Sequence, residues 1–171
     1  MRCGERVRLS RAGVRIGGRC CAASVILSLE NPDGDADNGC VMPASPTKVL
    51  VVDDELHVAA SVTLALGREY RVDSICSGRE AFEMLRENAR GFDIVIADHM
   101  MPGWAGSELI QRLQAAGFRG KCILLSGHLS PQVEAIYRGL GVEYIIPKPF
   151  DLVELRNAVK ASARAAEDGR N

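Results

Sequence analysis

A chain of 171 residues, 47% hydrophobic and 5% aromatic, has the length of one domain with a packed core and room for a tail. Its formal net charge of −1 gives no global case for nucleic-acid binding. Six cysteines (Cys3, Cys20, Cys21, Cys40, Cys76 and Cys122) form no CxxC pair and no Cys/His spacing, which argues against zinc and for free thiols in a reducing cytoplasm.

The first 46 residues differ from everything after them. Residues 1–20 carry six arginines and one glutamate, and residues 31–40 form a turn-rich acidic patch. Between them, residues 20–29 make an apolar stretch of the length found in a signal peptide. No small-x-small cleavage site follows it, Glu30-Asn31-Pro32 ends it abruptly, and it is too short to span a bilayer. Residues 1–46 therefore read as a disordered extension or, with Met42 just before Pro43-Ala44-Ser45-Pro46, as upstream sequence that is not native.

From Thr47 a regular alternation sets in. Lys48 to Val52 is a continuous apolar strand, closed by Asp53-Asp54-Glu55. A helix follows to about Arg68, with Leu56, Ala59, Ala60, Thr63 and Leu66 on one stripe. Tyr70 to Cys76 reads as a second strand. Ser77 with Glu80 then forms a capping box and opens a helix to about Asn88. The run Ile94 to Ala97 has the β-branched content of a strand buried on both faces. It delivers Asp98 at its end, and Pro102-Gly103 turns the chain. A third helix from Gly106 places Leu109, Ile110, Leu113 and Ala116 inward. Lys121 to Leu125 is the fourth strand, ending at Ser126-Gly127, and Ser130-Pro131 caps a fourth helix. Glu143 to Ile146 is the fifth strand, ending in Pro147-Lys148-Pro149-Phe150. Asp151 and Glu154 cap a last helix that buries Leu152, Leu155 and Val159 and fades into a polar tail over 166–171.

Five strands, each followed by a helix, predict an α/β fold with a doubly wound parallel sheet covered on both faces. The carboxyl ends of its strands lie on one edge, so Asp53, Asp54, Asp98, Ser126 and Lys148 should converge there. Any one of them has an ordinary reading: a helix cap, a turn acid, a loop serine, a solvated lysine. Jointly they do not. Clustered carboxylates raise one another's pKa unless a cation intervenes, and an all-oxygen set suits a hard ion such as Mg²⁺. A carboxylate beside such an ion, an ammonium and a hydroxyl is equipped to accept a phosphoryl group.

Residues 47 to about 165 resemble the receiver domain of two-component response regulators. The resemblance rests on Val49-Leu50-Val51-Val52-Asp53-Asp54-Glu55, on Asp98 with Met100-Met101-Pro102-Gly103 and Gly106, on Leu124-Leu125-Ser126-Gly127, and on Pro147-Lys148-Pro149-Phe150. It implies a flavodoxin-like (βα)5 sheet of order 2-1-3-4-5; with no output domain expected after residue 165, the chain reads as a stand-alone receiver. It also implies Asp98 as phosphoacceptor, Mg²⁺ on Asp53, Asp54, Asp98 and the backbone carbonyl of Met100, Ser126 as the switch hydroxyl, and Lys148 as the phosphate-pairing lysine before a cis proline. The implied partners are a sensor histidine kinase or histidine phosphotransfer protein and a downstream protein of unknown identity. No direct contact with nucleic acid or membrane is expected, and the expected location is the cytoplasm.

Three positions depart from the family's pattern. The switch aromatic falls on Ile145, with Tyr144 one residue earlier and so on the opposite strand face. Ala105 replaces a common aspartate, and His99 a common aliphatic residue. His57, His99 and His128 read as solvated histidines, His128 being placed to influence water access near Ser126, and Trp104 reads as an exposed aromatic or docking contact. Ile145 keeps open an alternative, a receiver-like interaction module that works without phosphate. A dinucleotide enzyme would need a glycine-rich turn where Asp53-Asp54-Glu55 stands. A phosphatase with an aspartyl nucleophile on the first strand does not fit the later Asp98.

Overall fold

The computed structural model describes residues 46–87 and 91–168. The extension read over 1–46 lies outside them except for Pro46, as do four of the six cysteines, the expected end of the second helix at Asn88, and residues 169–171 of the tail.

The alternation holds throughout: β1 (Lys48–Val52), α1 (Leu56–Leu66), β2 (Arg71–Ile75), α2 (Gly78–Glu87), β3 (Ile94–Asp98), α3 (Gly106–Ala115), β4 (Lys121–Ser126), α4 (Pro131–Gly139), β5 (Tyr144–Pro147) and α5 (Leu152–Asp168). The strands form one parallel sheet of order β2-β1-β3-β4-β5, the flavodoxin-like order expected from the resemblance. The inner strands β1 and β3 have no solvated face, which is why they read as unbroken apolar runs.

Alternate residues of each strand feed two cores. Val49, Val51, Ile94, Ile96, Ile123 and Leu125 pack under α1 and α5 with Val62, Leu66, Leu155 and Val159. Leu50, Val52, Val95 and Ala97 pack under α2 and α3 with Ala81, Leu85, Leu109 and Leu113. A smaller cluster, Ile110, Leu124, Tyr137 and Val142, lies beneath α4. Cys122 borders two of these clusters, and burial pushes its thiol up to about 12, consistent with a small core hydrophobe.

Helix faces differ from the sequence reading at their ends. Leu56 and Leu152 are 61% and 40% exposed, and Ala116 sits exposed at the C-cap of α3. All three stand at helix ends, in phase with the apolar stripe but uncovered. In α1 it is Val62 and Ala65 that join Ala59, Thr63 and Leu66 inside. α5 continues to Asp168, beyond the point where its apolar pattern fades. Among the described residues no helix is long and apolar enough to cross a membrane.

Candidate functional site

β1 and β3 are neighbours in register, so the residues that leave their carboxyl ends must lie side by side. Asp53 and Asp98 are buried at 0% and 4% exposure, with Asp54 more open beside them. One carboxylate oxygen from each of Asp53, Asp54 and Asp98 lies within 4.8 Å of the others. The expected convergence of the acids is therefore observed.

Lys148 reaches the cluster from the far side of β4. Its backbone amide donates to the Ser126 carbonyl at 2.7 Å, and the Lys148–Pro149 bond is cis. Its Nζ donates to Asp53 Oδ2 at 2.8 Å and to Glu55 Oε1 at 3.3 Å, and stands 3.3 Å from Asp98 Oδ1. Glu55 is a partner that the sequence reading left as a mere strand terminator. Asp53 also shapes the turn ahead of α1: its Oδ1 accepts the Glu55 amide at 2.9 Å, while the N-cap itself, Glu55, makes no side-chain cap bond. Asp53 is thus not a helix cap: one of its oxygens holds the turn and the other bonds Lys148.

Electrostatics follow from this packing. Burial raises the Asp98 carboxyl above its usual range, and the charge of Asp53 adds to the rise. Lys148 and the His99 amide pull it partly back. For Lys148, burial pulls down, but its hydrogen bond to Asp53 and the charges of Asp53 and Asp98 outweigh it, so the ammonium is held more firmly than usual. One lysine faces four carboxylates here, Glu55 included. The deficit of positive charge, with oxygen donors only, fits a hard divalent ion such as Mg²⁺.

Ser126 ends β4 and is buried, but its hydroxyl is turned toward its own loop. It donates to the His128 carbonyl at 2.7 Å and accepts the His128 amide at 3.3 Å. The side chain of Met100, in the loop after Asp98, is exposed at 67%.

Two aromatic residues were misjudged from sequence. Trp104 is half-buried, edge-on to Phe82 at 5.7 Å and beneath the Arg112 guanidinium at 4.2 Å, so it ties the loop after Asp98 to α2 and α3. His99 is not a solvated histidine: its Nδ1 lies 2.8 Å from the hydroxyl of Tyr137, with the rings edge-on at 5.5 Å. His57 and His128 are exposed, as expected. Tyr137 went unnoticed in the sequence, since a tyrosine at an apolar helical position carries no sign of what its hydroxyl will meet.

The family profile described as "Response regulator receiver domain" matches residues 49–160. Among curated relatives, the transcriptional regulatory protein CutR of Streptomyces coelicolor is 32% identical over 120 residues, covering 68% of this chain and 54% of that one. The virulence sensor protein BvgS of Bordetella pertussis is 37% identical over 135 residues, 72% of this chain but 11% of that one. This chain spans about half the length of CutR, and similar shares of the Aneurinibacillus migulanus response regulator GtcR and the Bacillus subtilis regulator YkoG. Among solved structures, the chemotaxis protein CheY4 of Vibrio cholerae superposes with a TM-score of 0.62 at 26% identity, over 69% of this chain and 99% of that one.

Proposed function

Because the chain belongs to the response regulator receiver domain family of two-component signalling, we propose that it accepts a phosphoryl group on Asp98 and signals through a surface that changes when it does. The observation that carries this is the cluster itself: Asp98 buried at a strand end, 3.3 Å from Lys148 Nζ, with two further aspartates beside it. The donor is a phosphohistidine on a sensor histidine kinase or phosphotransfer protein, and the setting is the cytoplasm.

Each residue has a task. A carboxylate oxygen of Asp98 forms the new bond to phosphorus as the phosphorus–nitrogen bond of the donor breaks and the imidazole leaves with the bonding pair. Asp53, Asp54, Asp98 and the Met100 carbonyl would hold Mg²⁺, which would supply neutralisation of phosphate charge. Lys148, 2.8 Å from Asp53 and 3.3 Å from Asp98, pairs with a phosphate oxygen. Ser126 turns its hydroxyl from the His128 carbonyl to a further oxygen. The domain supplies this apparatus itself, so the transfer is self-catalysed and the product is a signal rather than a turned-over substrate. A downstream protein, not nucleic acid or membrane, reads it.

Incubation with acetyl phosphate, with and without Mg²⁺, tests the reading on intact mass and phosphate-affinity gels. A Mg²⁺-dependent, base-labile adduct on wild type and none on Asp98→Asn is expected. No adduct from acetyl phosphate or a histidine kinase would overturn it. Ile145, half-buried beside the cluster under α4, supports a second reading, a module that binds its partner without phosphate. Unchanged partner affinity of Asp98→Asn would favour that second reading.

A further inference from the structure

α4 is held to the rest of the domain in an unusual way. Of its nine residues only Tyr137 is buried, and Tyr137 is buried completely. Ile136, one position earlier, is half exposed. The ring of Tyr137 packs with Ile110, Leu124 and Val142, and Ile145 of β5 lies against the same cluster. Its hydroxyl passes through this apolar layer and ends at the phosphoacceptor edge of the sheet. There it meets His99 Nδ1 at 2.8 Å, and the amide and side chain of Ser107 in the first turn of α3.

His99 is the residue next to Asp98, and its own backbone is pinned on both sides. Its amide donates to the Leu125 carbonyl at 2.9 Å, and its carbonyl accepts the Gly106 amide at 3.1 Å. Gly106 leaves space for the arrangement. A Cβ there would fall 2.3 Å from the Asp98 carbonyl oxygen and 3.1 Å from the Tyr137 hydroxyl. On the α4 side of β5 Ile145 offers no polar atom, and Tyr144 packs on the opposite face, against the core beneath α1 and α5. The hydroxyl in this domain comes instead from α4.

We propose that the His99–Tyr137 hydrogen bond is the link through which α4 senses the state of Asp98. This rests on the reading that Asp98 is phosphorylated. α4 is attached to the site twice: through the loop from Ser126 to its cap at Ser130, and through Tyr137 to His99. Phosphorylation draws the Ser126 hydroxyl from the His128 carbonyl and crowds the end of β3. Both attachments are disturbed together, and a helix anchored by one buried side chain changes its seating as a unit. The linkage is reciprocal: a protein that grips α4 in one seating changes the phosphorylation equilibrium of Asp98.

Hydrogen exchange of the α4 amides tests this in the full chain, unmodified and phosphorylated, with occupancy matched by intact mass. Wild type should change α4 exchange by about fivefold or more on phosphorylation, the lower range of ordinary coupling factors. Tyr137→Phe keeps the ring and its packing. It should still take the adduct but lose most of that change, and His99→Leu should do the same. If α4 exchanges faster in both states of Tyr137→Phe and the fold-change survives, the hydroxyl has a structural role only and the proposal fails. A wild-type chain that takes no adduct overturns the phosphorylation reading and this link with it; an adduct with an undiminished α4 response in both variants overturns this link alone.

Discussion

Asp98 is costly to ionise in the folded chain, chiefly because it is buried and secondarily because Asp53 stands beside it. An acid whose folded pKa is raised binds its proton more tightly in the fold than in the unfolded chain. Its favourable contribution is whole when both states are protonated and is lost as pH rises through the unfolded value toward the folded one. Asp98→Asn removes that loss and leaves Lys148 its 2.8 Å partner Asp53. The variant should therefore be more stable than wild type at neutral pH in chelator, with an advantage that shrinks on acidification. Urea midpoints across the pH range in which wild type stays folded would measure it. A variant less stable at neutral pH, or a difference that ignores pH, would contradict this balance. Asp73 in β2 is raised for the same first reason, against the pull of Arg71 and Lys48, so burial rather than the acid cluster alone sets carboxyl behaviour in this sheet.

Helix ends show where sequence and structure part. Three helix starts were read from cap residues, and two of those caps are made by side chains as expected. Ser130 accepts the Val133 amide at 3.2 Å, and Asp151 accepts the Val153 amide at 2.8 Å. Ser77 is a weaker case, reaching the Glu80 amide at 3.4 Å. α3 has no such bond: its N-cap is Ala105, already in the extended conformation that a capping side chain requires, at φ −66° and ψ 155°. Ala105→Ser should therefore stabilise the domain by about 0.5–1 kcal/mol, seen as a higher urea midpoint at unchanged slope. The Gly106 and Ser107 amides already meet the His99 carbonyl and the Tyr137 hydroxyl, so no shift would mean that the Glu108 amide, the one left for the new hydroxyl, needs no partner. The strand order came from the resemblance to receiver domains, whereas the two-sided core and the meeting of Asp53, Asp54, Asp98 and Lys148 were legible because period and strand ends are local signals that topology then assembles. The burial of Tyr137 and its bond to His99 were not, because 38 residues separate partners that only a specific helix seating brings together. Leu56 and Leu152 misled for a related reason: periodicity states which face a residue is on, not whether anything lies opposite.

At the scale of the molecule, the site exists only in the fold. Asp53 and Asp98 leave strands joined through the whole α1–β2–α2 passage, and Lys148 arrives from the last strand across β4. In the unfolded chain these groups are far apart, so an ion that needs two or three of the acids together binds the native state alone. Stability must then rise with Mg²⁺ by mass action, reaching about 2.7 kcal/mol at a hundredfold excess over the dissociation constant. Unfolding curves at fixed ionic strength, with Na⁺ replacing Mg²⁺ as the control, would follow the rise. Asp53→Asn is the informative variant: its side-chain oxygen can still accept the Glu55 amide, so the α1 entry is kept while one charged donor is lost. It should lose some stability in the absence of the ion, because Lys148 gives up its 2.8 Å carboxylate partner, and should be flat in the ion's presence. A wild-type chain that gains nothing from Mg²⁺ would show that Lys148, already bonded to Asp53 and close to Asp98, satisfies the acids by itself, and that these carboxylates serve the fold rather than an ion.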